Sequence, residues 1–342
     1  MSDLDAAVLA LPDLAVRTLG GSVVWANDEL FAGRENLVNA GPPVFTPRTF
    51  GAKGQVYDGW ETRRRREPGH DEAIVRLGAA GVVRAVVVDT THFTGNYPPE
   101  ASVEAVCLDG HPPVEDLLAA EWTTLVERSP LQGDTVNSFP VRSDRRWTHV
   151  RLTIHPDGGV ARLRVHGEVV ADPRVVEALG TVDLAALELG GRVIGCSDLF
   201  YGAPDRLIGP GLARSMGEGW ETARRRDEGN DWVELRLATR GVVRVAELDT
   251  TWFLGNAPGA AALSAHDGTG DPADDTSWRP MLPRVALQPD TRHRFLLDDP
   301  SPASHVRLDV FPDGGMARLR LWGTPTDDGL TALRERWEAT TP

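Results

Sequence analysis

The sequence predicts an all-β protein built from two tandem jelly-roll β-sandwich domains, and three observations predict it. The stretch 59–98 recurs without a gap as 219–258, with 22 of 40 positions identical, so the chain is an internal duplication. Short runs rich in Val, Leu and Ile are separated by turns rich in Gly, Pro and Asp, the pattern of many short strands. Helical patterns are few and short, which favours sandwiches over helical layers.

At 342 residues and 41% hydrophobic composition, each half is long enough to bury its own core. A net charge of −14 argues against nucleic acid, which needs a basic face, but leaves room for a small anion held by local arginines. Cys107 and Cys196 sit at non-equivalent places in the two halves and form neither metal spacing nor a disulfide framework. The N-terminus lacks the basic region of a signal peptide, and no run reaches the roughly 20 apolar residues of a membrane span. The expectation is a cytoplasmic protein with no membrane partner; a homo-oligomer is left open.

In order, residues 1–20 read as an arm with a short apolar element at 6–11. The first domain is expected at 21–170. It opens with 22–38, matched by 192–208 in the second half, and Asp28 matches Asp198. A Gly/Pro-rich loop covers 39–57. Strands follow at 73–77 and 82–89, with Gly81 as the turn between them, and Val suits the second to a buried pleat. Residues 149–167 alternate apolar and polar around Pro156-Asp157-Gly158-Gly159 and predict a β-hairpin, repeated at 305–323. The dissimilar segments 100–147 and 259–304 read as long loops carrying extra strands. A linker with short helices at 173–179 and 184–189 is expected over 171–190. The second domain follows at 191–325, and a helix near 331–340 ends the chain in a segment 326–342.

The repeated positions are polar as often as apolar, more than packing alone requires. Trp60 and Trp220 suit cores, whereas Arg63, Arg64, Arg65 and Arg66, with Arg224 in the second half, suit a planar carboxylate that accepts paired hydrogen bonds. Glu61 and Glu221 read either as ion-pair partners or as acceptors and acid/base groups, if burial tunes them. His70, beside Asp71, and His92, in the loop after the Val-rich strand, are the acid/base candidates of the first half. Asn230 and Trp252 replace these histidines in the second half, so the second half cannot perform the same histidine chemistry. Asp89 and Asn96, with Asn256, are read either as strand-end and turn residues tolerating positive φ or as pocket residues. His149 and His305 match as strand-edge residues. No P-loop, dinucleotide fingerprint, His-Glu-x-x-His or Gly-x-Ser-x-Gly is present.

The combination Asp58-Gly59-Trp60-Glu61-Thr62-Arg63-Arg64-Arg65-Arg66, Gly69-His70-Asp71 and Asp89-Thr90-Thr91-His92-Phe93-Thr94-Gly95-Asn96-Tyr97-Pro98 resembles the allantoicase family. The resemblance spans nearly the whole chain, duplication included. It implies two jelly rolls of the galactose-binding-like kind and hydrolysis of allantoate to ureidoglycolate and urea in purine breakdown. Glu72 departs from the Trp that the family pattern carries after Gly-His-Asp, which Trp232 keeps. Asn230 and Trp252 depart as well, which moves the expected chemistry to the first half.

The resemblance and residues together give the expected roles. His70, His92, Glu61 and Asp71 are the catalytic candidates. Arg63, Arg64, Arg65, Arg66, Asp89, Asn96, Glu221, Arg224 and Asn256 are the substrate-binding candidates. An acid protonates the departing urea nitrogen while a base takes an N–H proton from the remaining ureido group. No cofactor is expected; Asp and His residues leave a metal open, without a spacing that compels one. The alternatives are a carbohydrate- or small-ligand-binding module without turnover and a hydrolase of a related ureido acid.

Overall fold

The computed structural model describes residues 6–268, 277–298 and 301–342. The chain forms two compact units, residues 1–170 with 339–342 and residues 171–338. Each unit is an all-β jelly-roll sandwich.

In the first unit one strand, Asp71–Asp89, runs through both layers. Its first part pairs with Ser22–Ala26 on one side and Arg146–His155 on the other. Its last part pairs with Arg162–Val169 and Val136–Pro140. Beyond Arg146–His155 lie Glu100–Val106 and then Thr123–Pro130, which completes a five-stranded layer facing a three-stranded one. The second unit repeats this arrangement around Asp231–Asp249.

The cores follow from the alternation. In the second unit Val233, Leu235, Leu263, Val306, Leu308 and Val310 from one layer share a cluster with Ala246, Leu248, Leu319 and Leu321 from the other. All are 0–1% exposed. Each such aliphatic side chain contributes about 1.5–3 kcal/mol on burial. The equivalent Val75, Leu152, Ile154, Val86, Val88, Leu163 and Val165 are fully buried in the first unit. Trp60 and Trp220 are core residues, and each indole N–H donates to a backbone carbonyl, Asp28 O at 2.7 Å and Asp198 O at 3.1 Å.

The structure corrects several local readings. Residues 73–77 and 82–89 are not separate strands, and Gly81 is not a turn. A Cβ there would lie 2.5 Å from Glu168 O, so the glycine permits close approach within a continuous strand. The two runs around Pro156–Gly159 are not a hairpin. They pair with opposite parts of Asp71–Asp89, so the turn is an arch between layers, and the same holds around Pro312–Gly315. Alternation looks the same whether two strands pair or face each other across a core, which is why the sequence misled here.

Residues 171–190 pack into the second unit instead of linking: helix Pro173–Leu179 is as expected, but Leu184 and Ala185 form a fully buried turn and only Leu187–Leu189 is a 3₁₀ turn. The arm also packs, with Leu14 and Ala15 fully buried and Asp13 bridged to His166. The loop 39–57 holds a small hairpin, Phe50–Gly51 with Gly54–Gln55. The last helix spans Asp327–Ala339, and a helix at Val114–Ala119 escaped the sequence reading; its Leu117 packs with Ile74 and Val106. Among the described residues no helix is long and apolar enough to cross a membrane.

Candidate active site

The arch determines the site in each unit. After His155 the chain turns through Pro156–Gly158, and Gly159 and Val160 pair with Glu61 and Trp60. Gly158 N–H donates to the Thr62 hydroxyl at 3.2 Å, and Thr62 N–H donates back to Gly158 O at 3.1 Å. Gly159 N–H donates to Asn96 O at 2.7 Å. Asp157 accepts from Arg65 N–H at 2.9 Å. Both glycines are required: Gly158 has φ +144°, and a Cβ on Gly159 would sit 2.1 Å from the Phe93 ring. One short arch thus fixes the strand bearing Glu61, the loop bearing Asn96 and the arginine run.

What it brings together is a carboxylate and an amide. Asn96 Nδ2 donates to Glu61 Oε1 at 2.6 Å. Glu61 is 8% exposed, and its Oε2 is buried with no hydrogen-bond partner among the described residues. Burial pushes its carboxyl above the ordinary range, opposed by the Asn96 hydrogen bond. A buried carboxyl with an unsatisfied oxygen is unfavourable for stability, and such groups concentrate where chemistry needs them. The second unit repeats the pair: Asn256 Nδ2 donates to Glu221 Oε1 at 2.6 Å.

The remaining predicted residues divide into two groups. Asp71, 1% exposed, accepts from Arg65 at 2.6 Å and from Asn27 at 3.1 Å, so it does not orient His70. Asp231 and Arg225 form the same clamp at 2.7 Å. Arg63 is paired with Asp28 at 2.5 Å. Asp89 accepts from Thr91 N–H at 2.8 Å and from its hydroxyl, a strand-end cap that Asp249 and Thr251 repeat. These charged residues are engaged in contacts within the scaffold, although Asp71 Oδ2 and Asp231 Oδ2 are buried without a hydrogen-bond partner among the described residues. Arg64, Arg66 and Arg224 are exposed and make no ion pair among the described residues. Asn96 and Asn256, read as turn residues tolerating positive φ, do not adopt it.

The two histidines are separated by role. His70 is half exposed, with its ring 5.7 Å from His155 and Nε2 3.7 Å from Glu72; it has no contact with Glu61 or Asn96 among the described residues. His92, at φ 70°, donates its N–H to Asp134 at 2.8 Å, and its Nε2 lies 3.3 Å from Pro43 O. Trp252, at φ 75°, makes the same two contacts, to Asp290 at 2.8 Å and to Ala213 O at 2.9 Å. The position is therefore a strut between loops in both halves, which explains how Trp replaces His there. His149 is 1% exposed, and burial, helped by Arg76 and His111, lowers its pKa to about 4.

The sequence reading missed Asn27 and Asp157 as clamps and the buried Arg162, which donates to Asp58 at 2.6 Å. The signal for Asp157 and Arg162 was their recurrence as Asp313 and Arg318; Asn27 gave none, since Ser197 stands at its matched position. The loop 39–57 was read as a loop, but its contacts were not: Phe45 stacks on Tyr57 at 5.6 Å and lies 6.0 Å from His92, and Lys53 donates to Glu29 O at 2.8 Å. Cys107 and Cys196 are free thiols whose pKa values burial raises, which makes them poor nucleophiles. Among the described residues no group of three or more His, Cys, Asp or Glu is placed to hold a metal ion.

Fold and site together define an internally duplicated β-sandwich protein in which each half presents a carboxylate–amide pair among its loops. Known proteins share this organisation. A family model described as the Allantoicase repeat matches residues 12–170 and again 182–326. A probable allantoicase of Nocardia farcinica is 59% identical over 320 residues, covering 92% of this chain and 94% of its own. The allantoicase of Dictyostelium discoideum is 42% identical over 311 residues, 89% of this chain and 84% of its own. A crystal structure of allantoicase from Saccharomyces cerevisiae superposes with a TM-score of 0.77 at 32% identity, covering 91% of this chain and 92% of that one. The chain belongs to the allantoicase family.

Proposed function

We propose that this protein hydrolyses allantoate to ureidoglycolate and urea, and that Glu61 is its proton-transfer group. Family membership supports the reaction. The single observation supporting the residue is the buried Glu61 carboxyl, tied through one oxygen to the neutral Asn96, unsatisfied at the other, and among the described residues without the arginine partner that the equally buried Asp71 has.

Allantoate carries two ureido groups and a carboxylate on one carbon. A ureido anion is a poor leaving group, so the departing nitrogen must gain a proton as its C–N bond breaks. Burial raises the Glu61 pKa and so favours its proton-carrying form, and from that form Glu61 supplies the proton and releases urea. Its carboxylate then takes the N–H proton of the remaining ureido group, leaving a C=N bond. Water adds its oxygen to carbon and a proton to nitrogen, giving ureidoglycolate with Glu61 again protonated. Asn96 Oδ1 accepts a ureido N–H while Nδ2 holds Glu61. Arg64 and Arg66, exposed and without an ion pair among the described residues, receive the substrate carboxylate; Arg63 and Arg65 are occupied by Asp28 and Asp71. His70 and His92 have no step. Oε2 is sealed in the resting molecule, so substrate entry uncovers it. The free thiols and acidic charge are compatible with a cytoplasmic setting.

The test is urea release from allantoate by wild type, Glu61→Gln, His70→Ala and His92→Ala. Wild type should release urea. Glu61→Gln should lose about 10²-fold or more in kcat, the usual worth of a positioned acid. His70→Ala should stay within about threefold. An active Glu61→Gln enzyme would remove Glu61 from the reaction, and no urea from wild type would remove the substrate.

A further inference from the structure

We infer that the second half carries a separate binding site at Glu221 and Asn256 for a ureido or amide compound bearing an apolar substituent. This rests on the reading that a Glu–Asn pair on this scaffold receives ureido groups. The hydrogen-bonding core is the same in both halves: Asn amide to Glu Oε1 at 2.6 Å, on a strand end paired to the Gly-Gly arch.

The surroundings differ at several matched positions. Leu30 and Phe31 become Phe200 and Tyr201, Thr94 becomes Leu254 and His92 becomes Trp252. The loop 44–57, which brings Arg48 and Lys53 to the first half, is matched only by 214–217. Arg214 in that short stretch is held by Glu218 at 2.6 Å. Two of the replacements, Thr94 to Leu254 and His92 to Trp252, put an apolar side chain where the first half has a polar one, and Phe200 and Tyr201 are more exposed than Leu30 and Phe31. Tyr201 N–H donates to Glu221 O at 3.3 Å, and the Phe200 and Tyr201 rings meet edge to face at 4.6 Å. Met216 Sδ lies 3.4 Å from Asn256 Nδ2. Trp252 is fixed by its indole N–H to Ala213 O. Phe200 is 70% exposed and Leu254 71%. A lone exposed apolar side chain is ordinary; several around a carboxylate–amide pair form a surface that recognises one polar and one apolar group together.

Glu221 is only partly buried, whereas Glu61 is sealed. An open carboxylate can accept the paired N–H groups of a ureido ligand without a preceding rearrangement. The second site therefore binds where the first one reacts.

N-phenylurea is the probe, titrated calorimetrically into the full chain, with urea release from allantoate measured on the same wild-type preparation. Urea release reports on the proposed reaction; calorimetry alone decides the second site. Wild type and Glu61→Gln should bind phenylurea with the same affinity. Glu221→Gln, which turns an acceptor oxygen into a donor, and Phe200→Ser should each weaken it at least about tenfold, with thermal melting confirming that both variants fold. Binding lost in Glu61→Gln and kept in Glu221→Gln would overturn the inference. So would no phenylurea binding together with a concentration-dependent oligomer that Phe200→Ser dissolves, which would make the apolar rim a subunit interface.

Discussion

Glu61 is the residue on which fold and function pull in opposite directions. Its carboxyl is buried, so the folded state holds a proton that the unfolded chain releases near the ordinary glutamate value of about 4.3. As pH rises from that value towards the raised folded-state value, the unfolded chain binds fewer protons, and stability declines. Glu61→Gln removes this loss. The melting temperature of Glu61→Gln relative to wild type should therefore increase from pH 4 to pH 7; a pH-independent difference would mean that the carboxyl is not buried as described. The same residue scale marks the limit of sequence reading. Glu61 and Asn96 stood out as repeated polar positions, but so did Asp71, Arg65, Asp89 and His92. A buried clamp and a ligand-binding group are kept by the same residue types, and only burial and partners separate them. Asp71 Oδ2 is as buried and unpartnered as Glu61 Oε2, but Asp71 is charge-paired with Arg65 through Oδ1, whereas Glu61 Oε1 is met only by the neutral Asn96 amide; His92 is held on Pro43 and Asp134, and among the described residues Arg64 and Arg66 make no ion pair.

At the scale of elements, the arch matters most. Alternation in 149–167 showed two strands and a turn, yet not that they belong to different layers, because pairing partners are remote in sequence. The Gly-Gly of the turn was legible, but its purpose was not: Gly159 lies against Phe93 while its N–H holds Asn96. Gly159→Ala should push the arch off the Phe93 ring, cost about 1–3 kcal/mol as overpacking does, and lower kcat by displacing Asn96 from Glu61. Gly95→Ala, where a Cβ meets nothing within 4 Å, should change melting temperature by little. Melting and urea-release assays on the two variants check this; equal effects would deny the arch its positioning role.

For the whole molecule the duplication was the most legible feature, since a gapless repeat survives any error in assigning individual strands. It also acts as an internal control. The Arg–Asp clamp, the Asp–Thr cap and the strut at 92 and 252 recur in both halves as contacts within the scaffold, and the Glu–Asn pair recurs with them. Features present in one half, such as the sealed carboxyl and the loop 44–57, belong to what that half does. The domain limits were less legible because Leu184 and Ala185, in a Leu/Ala-rich run that suits a helix, are used as core.

The strand Asp71–Asp89 serves both layers of its unit without interruption, and Asp231–Asp249 does the same in the other. A sandwich whose layers share a strand has no seam. One sheet cannot detach while the other keeps its ladder, so partial openings along the interlayer plane are suppressed. Backbone amides of 73–76 and 85–88, in different layers, should exchange with deuterium at one common free energy that merges with global unfolding of the unit. Exchange of one set through a cheaper opening would show that the strand breaks near Gly81 and that the layers are separable cooperative units.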